Sequence, residues 1–163
     1  MAVSLPEGSL EDRLNRYLDG LGSSHGLEDS GIEKNVVRAV VRPEDVPAVL
    51  ATAREGLGVM HLSFITVVDW EGSFEITYEL MDLRGAIVRV KTTIEGDEPV
   101  IGSVTPIYPT ANWHEREAYD MFGVAFAGHP DLRRTFMWQD HFDYHPLLKS
   151  FEISTRRTFE GLR

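Results

Sequence analysis

The side chains of this 163-residue sequence that are best suited to chemistry lie within residues 112 to 134, NWHEREAYDMFGVAFAGHPDLRR. Glu115, Glu117 and Asp120 are candidate general acid–base groups, because carboxylates can take up and release protons. Catalytic carboxylate pairs usually come from separate strand ends or loops around a cleft, and this stretch supplies neither a nucleophile nor a cradle for a substrate. The sequence favours a structural use of these groups, with a stand-alone small enzyme as the remote alternative.

The structural interpretation gives these charged residues ordinary roles in a helix that Asn112 caps. Glu115 stands three residues after Asn112, which is the spacing of a capping box. Arg116 stands four residues before Asp120, which is the spacing of an ion pair on a helix surface. Gly123 supplies the stop signal for the helix.

Glu115 also falls on the apolar side of this helix. At about 100° per residue, it lies within the arc formed by Ala118, Tyr119, Met121 and Phe122. A carboxylate in such a place needs a hydrogen-bonding or charged partner. We predict that Arg133 or Arg134 pairs with it.

The histidines of the C-terminal quarter are the candidate metal ligands. They are His129, His141 and His145, and prolines directly follow the first and the last of them. Helical ligand geometry is not expected in such an irregular segment, and no close carboxylate completes a metal motif. A metal site is therefore disfavoured, and the His129–Pro130 step predicts an extended turn.

The composition excludes several functional classes. The sequence has no cysteine, which excludes disulfides, thiolate-bound clusters and cysteine zinc sites. A net charge of −10 argues against a nucleic-acid-binding face. No apolar run reaches the roughly 18 residues that a membrane span requires, and the first residues lack the features of a secretory signal. These observations predict a cytoplasmic protein.

The elements that position the motif follow from hydrophobic periodicity. A helix capped by Ser9, with Asp12 at its third position, is followed by a polar loop, SSHGLEDSG. A strand over NVVRAVVR and a helix over PEDVPAVLATAREG come next, and then three strands at residues 59–70, 73–83 and 86–95. In the first of these, the alternation places Met60, Leu62, Phe64, Thr66 and Val68 on one face. The order predicts an α+β fold with a mainly antiparallel sheet and helices on one face.

The last part of the chain has a different character. Residues 1–122 hold 10 Lys and Arg against 21 Asp and Glu, whereas residues 123–163 hold 6 against 5. The later segment has no sustained period, yet it carries many apolar anchors: Phe126, Leu132, Phe136, Met137, Trp138, Phe142, Tyr144, Leu147, Leu148 and Phe151. We predict an α+β domain over residues 1–122 and an extended, largely irregular arm over residues 123–163 that binds a partner protein.

The motifs ERE-YDMFG and GHPDLRR, and a later HPL followed by a lysine, resemble the signature of the 30-kDa-type (C-type) subunit family of respiratory complex I. Related proteins occur in energy-converting dehydrogenase and hydrogenase complexes. The residues of this chain that carry the resemblance are Glu115, Arg116, Glu117, Tyr119, Asp120, Gly123, His129, Pro130, Asp131, Arg133, Arg134, His145, Pro146 and Lys149.

The resemblance implies a peripheral-arm subunit on the cytoplasmic side of the membrane that carries no cofactor, no metal and no catalytic residue of its own. It would support the assembly and stability of the quinone-site module in electron transfer coupled to proton translocation. The implied partners are the hydrogenase-large-subunit-like quinone-site subunit and neighbouring iron–sulfur subunits. NAD(H), FMN, quinone and the iron–sulfur clusters would belong to those partners.

The later motif departs from the family pattern. The family has Gly before the second His/Phe-Pro, and then Leu-Arg-Lys-Asp. Here Tyr144 takes the place of the Gly, Leu148 that of the Arg and Ser150 that of the Asp. The branch therefore stays open between a complex I-type NADH:quinone oxidoreductase and a membrane-bound hydrogenase or a ferredoxin- or deazaflavin-dependent dehydrogenase.

Overall fold

A computed structural model describes residues 8–23, 26–136 and 144–152. The chain forms α1 (Leu10–Gly22), β1 (Leu27–Glu33), β2 (Val36–Val41), α2 (Val46–Ala51), β3 (His61–Asp69), β4 (Ser73–Met81), β5 (Ile87–Glu95), β6 (Val100–Gly102), α3 (Ala111–Phe122) and β7 (Ala125–Ala127). A short 3₁₀ turn (Pro43–Asp45) precedes α2, and a π-helical turn (Thr52–Gly56) follows it.

The main sheet has five strands in the order β1-β2-β5-β4-β3. All its neighbouring strands are antiparallel except β2 and β5. A second, two-stranded sheet pairs β6 with β7 in parallel. The predicted α+β fold with a mainly antiparallel sheet is therefore confirmed.

One face of the main sheet forms the core. Strands β2, β4 and β5 each bury alternate side chains, as a half-buried strand requires, and these pack with the buried sides of α1 and α2. The opposite face is polar and carries the cross-strand ion pairs Arg89–Glu79 and Lys91–Glu75. This asymmetry agrees with helices on one face only.

Helix α1 begins where the sequence predicts. Ser9 and Asp12 form the capping box, and Leu14, Tyr17 and Leu21 are buried. The Tyr17 hydroxyl also donates a hydrogen bond of 3.0 Å to the buried carboxylate of Asp82, which lies in the connection between β4 and β5. Burial, together with this bond to Asp82, raises the pKa of Tyr17 to about 12.

The predicted polar loop after α1 is wrong in its second half, where β1 forms. This edge strand is held by backbone pairing with β2 over Leu27–Glu33. Most of its side chains are exposed, so it lacks the apolar alternation by which a strand is usually recognised. Its pairing is decided by the strand beside it.

The predicted alternation in β3, which puts Leu62, Phe64, Thr66 and Val68 on one face, is also wrong beyond Leu62. The pairing with β4 shifts register between Leu62 and Phe64. A bulge of this kind inserts one residue and exchanges the two faces of the strand beyond it. Ile65 and Val67 are therefore buried, whereas Val68 is exposed.

The chain beyond α3 returns to the folded body. Val124 and Phe126 are buried, and Leu132 and Leu148 pack partly buried against the core. Residues 137–143 and 153–163 lie outside the described residues, together with the candidate ligand His141. That residues 123–163 form a separate, partner-dependent arm stays a prediction. No helix within the described ranges combines the length and apolarity needed to cross a membrane.

Candidate functional site

Helix α3 carries most of the motif and buries three charged side chains, Glu115, Arg116 and Asp120. It begins at Ala111 with Thr110 as N-cap, and no side chain caps it. The predicted capping by Asn112 is therefore wrong. The helix ends at Gly123, as predicted, in the left-handed conformation with φ of 79°.

Glu115 binds the segment that follows β6. Its carboxylate accepts from the Ser103 hydroxyl at 2.6 Å, from the Val104 backbone N–H at 2.7 Å and from the Thr105 hydroxyl at 3.2 Å. These three donors explain why the side chain does not turn back to cap its own helix. The predicted pairing of Glu115 with Arg133 or Arg134 is wrong.

Burial dominates the electrostatics of Glu115. Removal from water raises the pKa of this carboxyl above its ordinary value, and the hydrogen bonds from Ser103 and Val104 oppose the rise only in part. Burial and the nearby Glu115 carboxylate also raise the pKa of the Tyr78 phenol. The Tyr78 hydroxyl has no hydrogen-bond partner within the described residues.

His129 fixes the turn after β7 against the start of α3. Its Nδ1 accepts from the Asp131 backbone N–H at 3.0 Å, so a neutral ring carries its proton on Nε2. Nε2 then donates to the Asn112 carbonyl at 3.1 Å and lies 4.0 Å from the Glu115 carboxylate. The His129–Pro130 step thus lies in a turn, as predicted, and its imidazole serves as a structural bridge.

Asp120 holds the chain that follows this turn. Its Oδ1 accepts from Arg134 Nε at 2.7 Å, and its Oδ2 accepts from the backbone N–H groups of Thr135 at 3.0 Å and Phe136 at 2.8 Å. Arg134 Nη2 donates in addition to the Tyr144 carbonyl at 2.6 Å. One buried carboxylate therefore connects α3 with two separate parts of the C-terminal segment.

Arg116 forms a second ion pair with residues 131–136, which run back beside α3 and are called the returning chain below. Its Nη2 lies 3.0 Å from Asp131 Oδ2, and Arg133 Nε lies 3.1 Å from the same oxygen. The predicted pair between Arg116 and Asp120 is wrong. The chain after β7 runs back beside α3 and supplies a different partner to each of these residues.

His145 holds residues 144–152, the second described part of the C-terminal segment, against the end of α3. Its Nδ1 lies 2.9 Å from the Asp120 carbonyl, and its ring meets Tyr119 edge to face with centroids 6.3 Å apart. The ring also lies against Gly123, where an added Cβ would come within 2.9 Å of it. Gly123 is therefore required both for the backbone turn and for this contact.

The segment 144–152 then reaches the end of β3. The Leu147 backbone N–H donates to the Met121 carbonyl at 3.1 Å. The Lys149 backbone N–H donates to Asp69 Oδ2 at 2.8 Å, and its ammonium lies 5.1 Å from the centre of the Trp70 ring. The motif predicted from the sequence includes Lys149 but not Asp69. The sequence offered one indication of Asp69, because an acidic residue stands there at the end of an apolar strand.

Two further binding residues, Ser103 and Thr105, were also missed. They stand on either side of Val104, directly after β6. The sequence could have indicated them, because this Ser-x-Thr step precedes a helix that carries a glutamate on its apolar side. Glu117 and Pro130, by contrast, are exposed, and Pro146 is half-buried in a turn. The motif therefore divides into buried connectors and surface residues.

The geometry does not build a catalytic centre from the three motif carboxylates. Glu115 and Asp120 are buried and bound to different internal partners, and Glu117 faces solvent. A surface depression beside α1 is lined by α1 residues, Ser23 and Leu57 and includes none of the motif residues. Within residues 8–23, 26–136 and 144–152, no three His, Asp or Glu side chains are grouped so as to hold a metal ion.

Comparisons with known proteins agree on one family. Residues 39–157 match the family described as the respiratory-chain NADH dehydrogenase, 30 Kd subunit. The chain is 36% identical over 156 residues to a C-type subunit of the NADH-quinone oxidoreductase of Rhizobium etli, a match that covers 92% of this chain and 78% of that one. It is 39% identical over 123 residues to the C-type subunit of the NADH-quinone oxidoreductase of Moorella thermoacetica, which covers 73% and 82% of the two chains.

A solved structure is similar as well. It is the trypsin-resistant fragment (1–134) of Nqo5, at 29% sequence identity and a TM-score of 0.61. The match covers 74% of this chain and 99% of the fragment. The likeness therefore spans nearly the whole of that fragment.

Proposed function

Because this chain belongs to the family of the 30 kDa subunit of respiratory-chain NADH dehydrogenase, we propose that it acts as a structural subunit of the peripheral arm of an NADH-quinone oxidoreductase. Its role is to support the assembly and stability of the module that reduces quinone. The chain has no catalytic activity of its own.

One observation carries this proposal: the charged motif residues are used to hold the chain's own shape. Glu115, Asp120 and Arg116 each bind segments that come from elsewhere in the sequence. A catalytic acid or base must instead reach a substrate. Networks of this kind fix the outline of a surface, which is what a structural protein contributes to an assembly.

The partners follow from the same family membership. We place the chain on the cytoplasmic side, beside the hydrogenase-large-subunit-like quinone-site subunit and the neighbouring iron–sulfur subunits. NAD(H), FMN, quinone and the iron–sulfur clusters belong to those partners in the proposal. The relatives named above are NADH-quinone oxidoreductase subunits, which favours this branch over a hydrogenase or a ferredoxin- or deazaflavin-dependent dehydrogenase.

The proposal divides the chain into a body, residues 1–122, and a partner-binding arm, residues 123–163. The similar solved structure supports this division, because it is itself a trypsin-resistant fragment. The pairing of β7 with β6 and the hydrogen bonds to Asp120, Asp69 and Met121 are contacts that residues 123–163 make with the body.

Deletion and rescue in the cell that makes the protein test the proposed function. Without this chain, we expect the assembled complex and its NADH:quinone reductase activity to fall together, so that activity per assembled complex stays unchanged. The tagged chain should restore both and should purify with the other subunits. A complex that assembles at its normal level but turns over slowly would overturn the structural role.

A further inference from the structure

Two aromatic side chains of the motif region stand exposed and in contact with each other. Trp113, on the first turn of α3, is 58% exposed, and Phe136, at the end of the returning chain, is 51% exposed. Their rings meet edge to face, with centroids 6.5 Å apart and planes inclined by 73°. Single exposed apolar residues are common on protein surfaces, but a contiguous aromatic pair is typical of an interaction site.

The buried charges already described hold both rings in place. The Arg116 guanidinium lies 5.2 Å from the centre of the Trp113 ring and is itself bound to Asp131. The backbone N–H of Phe136 is bound to the buried carboxylate of Asp120. Side chains that already have contacts in the free protein lose less conformational entropy on binding, so they can contribute more of their contact energy to affinity.

The charges beside the rings describe the rim of this surface. Arg116 and Arg133 share the single carboxylate of Asp131, and the Arg133 side chain is 63% exposed. Glu117, one turn after Trp113, is exposed on the same helix. An apolar centre with charges of both signs around it is the usual composition of a protein–protein interface.

We propose that Trp113 and Phe136 together form an anchor that inserts into an apolar recess on a neighbouring subunit of the complex. The inference rests on the proposed function, since it requires that the chain works within an assembly. A different subunit is favoured over a second copy of this chain, because a net charge of −10 opposes self-association. Large aromatic residues at the centre of an interface commonly dominate its binding energy.

The paired substitution Trp113→Ala with Phe136→Ala tests the anchor in the full chain within the assembled complex. We expect the amount of this subunit that stays with the complex during native purification to fall roughly tenfold or more. The melting temperature of the isolated chain should change little, because both rings are exposed. Leu83→Ala is the control, since Leu83 is 69% exposed in the connection between β4 and β5, away from the motif, and it should leave retention unchanged.

Photo-crosslinking separates this inference from the proposed function. With p-benzoylphenylalanine at position 113 in the assembled complex, we expect a covalent product with a different subunit. A product with a second copy of this chain, or no product at position 113 while the wild-type chain purifies with the complex, would overturn the anchor but not the subunit role. Failure of the wild-type chain to purify with any other subunit would overturn both.

Discussion

At the scale of single residues, the buried carboxylates Glu115 and Asp120 show how one residue type is stabilised in two ways. Asp120 faces a guanidinium and two backbone N–H groups, so its charge is compensated. Glu115 is bound by two hydroxyls and one N–H, and no Lys or Arg of the described residues pairs with it. Burial raises the pKa of Glu115, and hydroxyl and N–H donors offset this rise less than a cation would.

This difference predicts how stability depends on pH. Since the folded pKa of Glu115 lies above its ordinary value of 4.5, the folded protein binds a proton that the unfolded chain releases more readily. The contribution of Glu115 to stability is therefore full below pH 4.5 and is lost as the pH rises through the folded pKa. The loss has a limiting slope of about 1.4 kcal/mol per pH unit.

The neutral variant Glu115→Gln should lack this slope, because its side chain cannot ionise. We expect the free energy of unfolding of the wild type, relative to that of the variant, to decrease from pH 4.5 upwards. Urea unfolding of both proteins across this range measures the difference, and the titrating groups that do not interact with Glu115 cancel. Parallel pH profiles would show that Glu115 has the same proton affinity in the folded and unfolded states.

At the scale of elements, helix α3 positions the chain that follows it. It does so through its own buried side chains and through Gly123, which caps its C-terminal end. Arg116 and Asp120 bind residues 131–136, and the residues around Gly123 receive His145 and Leu147. The returning chain has little regular structure of its own. Bonds to α3 therefore contribute much of what positions it, and removing a single one should release the chain locally.

The substitution Asp120→Ala should release residues 134–136 while the sheet stays folded. Breaking a buried ion pair from one side costs ~3–5 kcal/mol, and Arg134 would be left without this partner. Hydrogen exchange should show loss of protection at the Thr135 and Phe136 amides, which donate to Asp120. Arg133→Ala is the control, because an exposed ion pair contributes only ~0–1 kcal/mol. Equal protection in both variants would contradict the role of Asp120.

Gly123 and Gly128 allow backbone strain to be separated from packing. Both have positive φ, 79° and 83°, so alanine at either position should cost roughly 1–2 kcal/mol for the left-handed conformation. Only at Gly123 would the added Cβ also meet the His145 ring, whereas Gly128 has no atom within 4 Å. Chemical denaturation should show the larger loss for Gly123→Ala, and adding His145→Ala should remove the excess. Equal losses for the two alanine variants would mean that the ring moves aside freely.

At the scale of the whole molecule, the distribution of charge separates the two parts of the chain. All of the excess negative charge lies in residues 1–122, and residues 123–163 carry a net charge of +1. The polar face of the sheet carries cross-strand ion pairs, whereas the motif region exposes two aromatic rings that contact each other. The motif region is therefore the part of the described surface best suited to a partner subunit.

Limited proteolysis tests whether the arm depends on its partner. In the free protein, we expect trypsin to cut within residues 123–163 and to leave a resistant body, because in this proposal the arm needs contacts with another subunit to offset its ordering entropy in full. Mass spectrometry of the fragments locates the cuts, of which the exposed Arg133 is the earliest site that the arm offers. In the complex the same sites should be protected. A free chain that resists cleavage throughout residues 124–163 would show that the arm packs stably on its own body.

Features that depend on near neighbours in the chain could be predicted from the sequence alone. The Ser9 cap, the end of α3 at Gly123 and the alternation of β4 and β5 are local, because caps, left-handed turns and strand periodicity involve residues a few positions apart. The family motif could also be recognised from the sequence, because its residues lie in two short runs and a later HPL step.

Contacts between distant groups, by contrast, were decided by the packing of the whole chain. Glu115 binds Ser103 and Thr105 instead of an arginine, and Asp120 receives Arg134 instead of the nearby Arg116. The strand β1 and the bulge in β3 were likewise decided by the strands beside them. The physical reason is that a charged side chain or an edge strand has several partners of similar energy, and the tertiary fold selects the one that comes within reach.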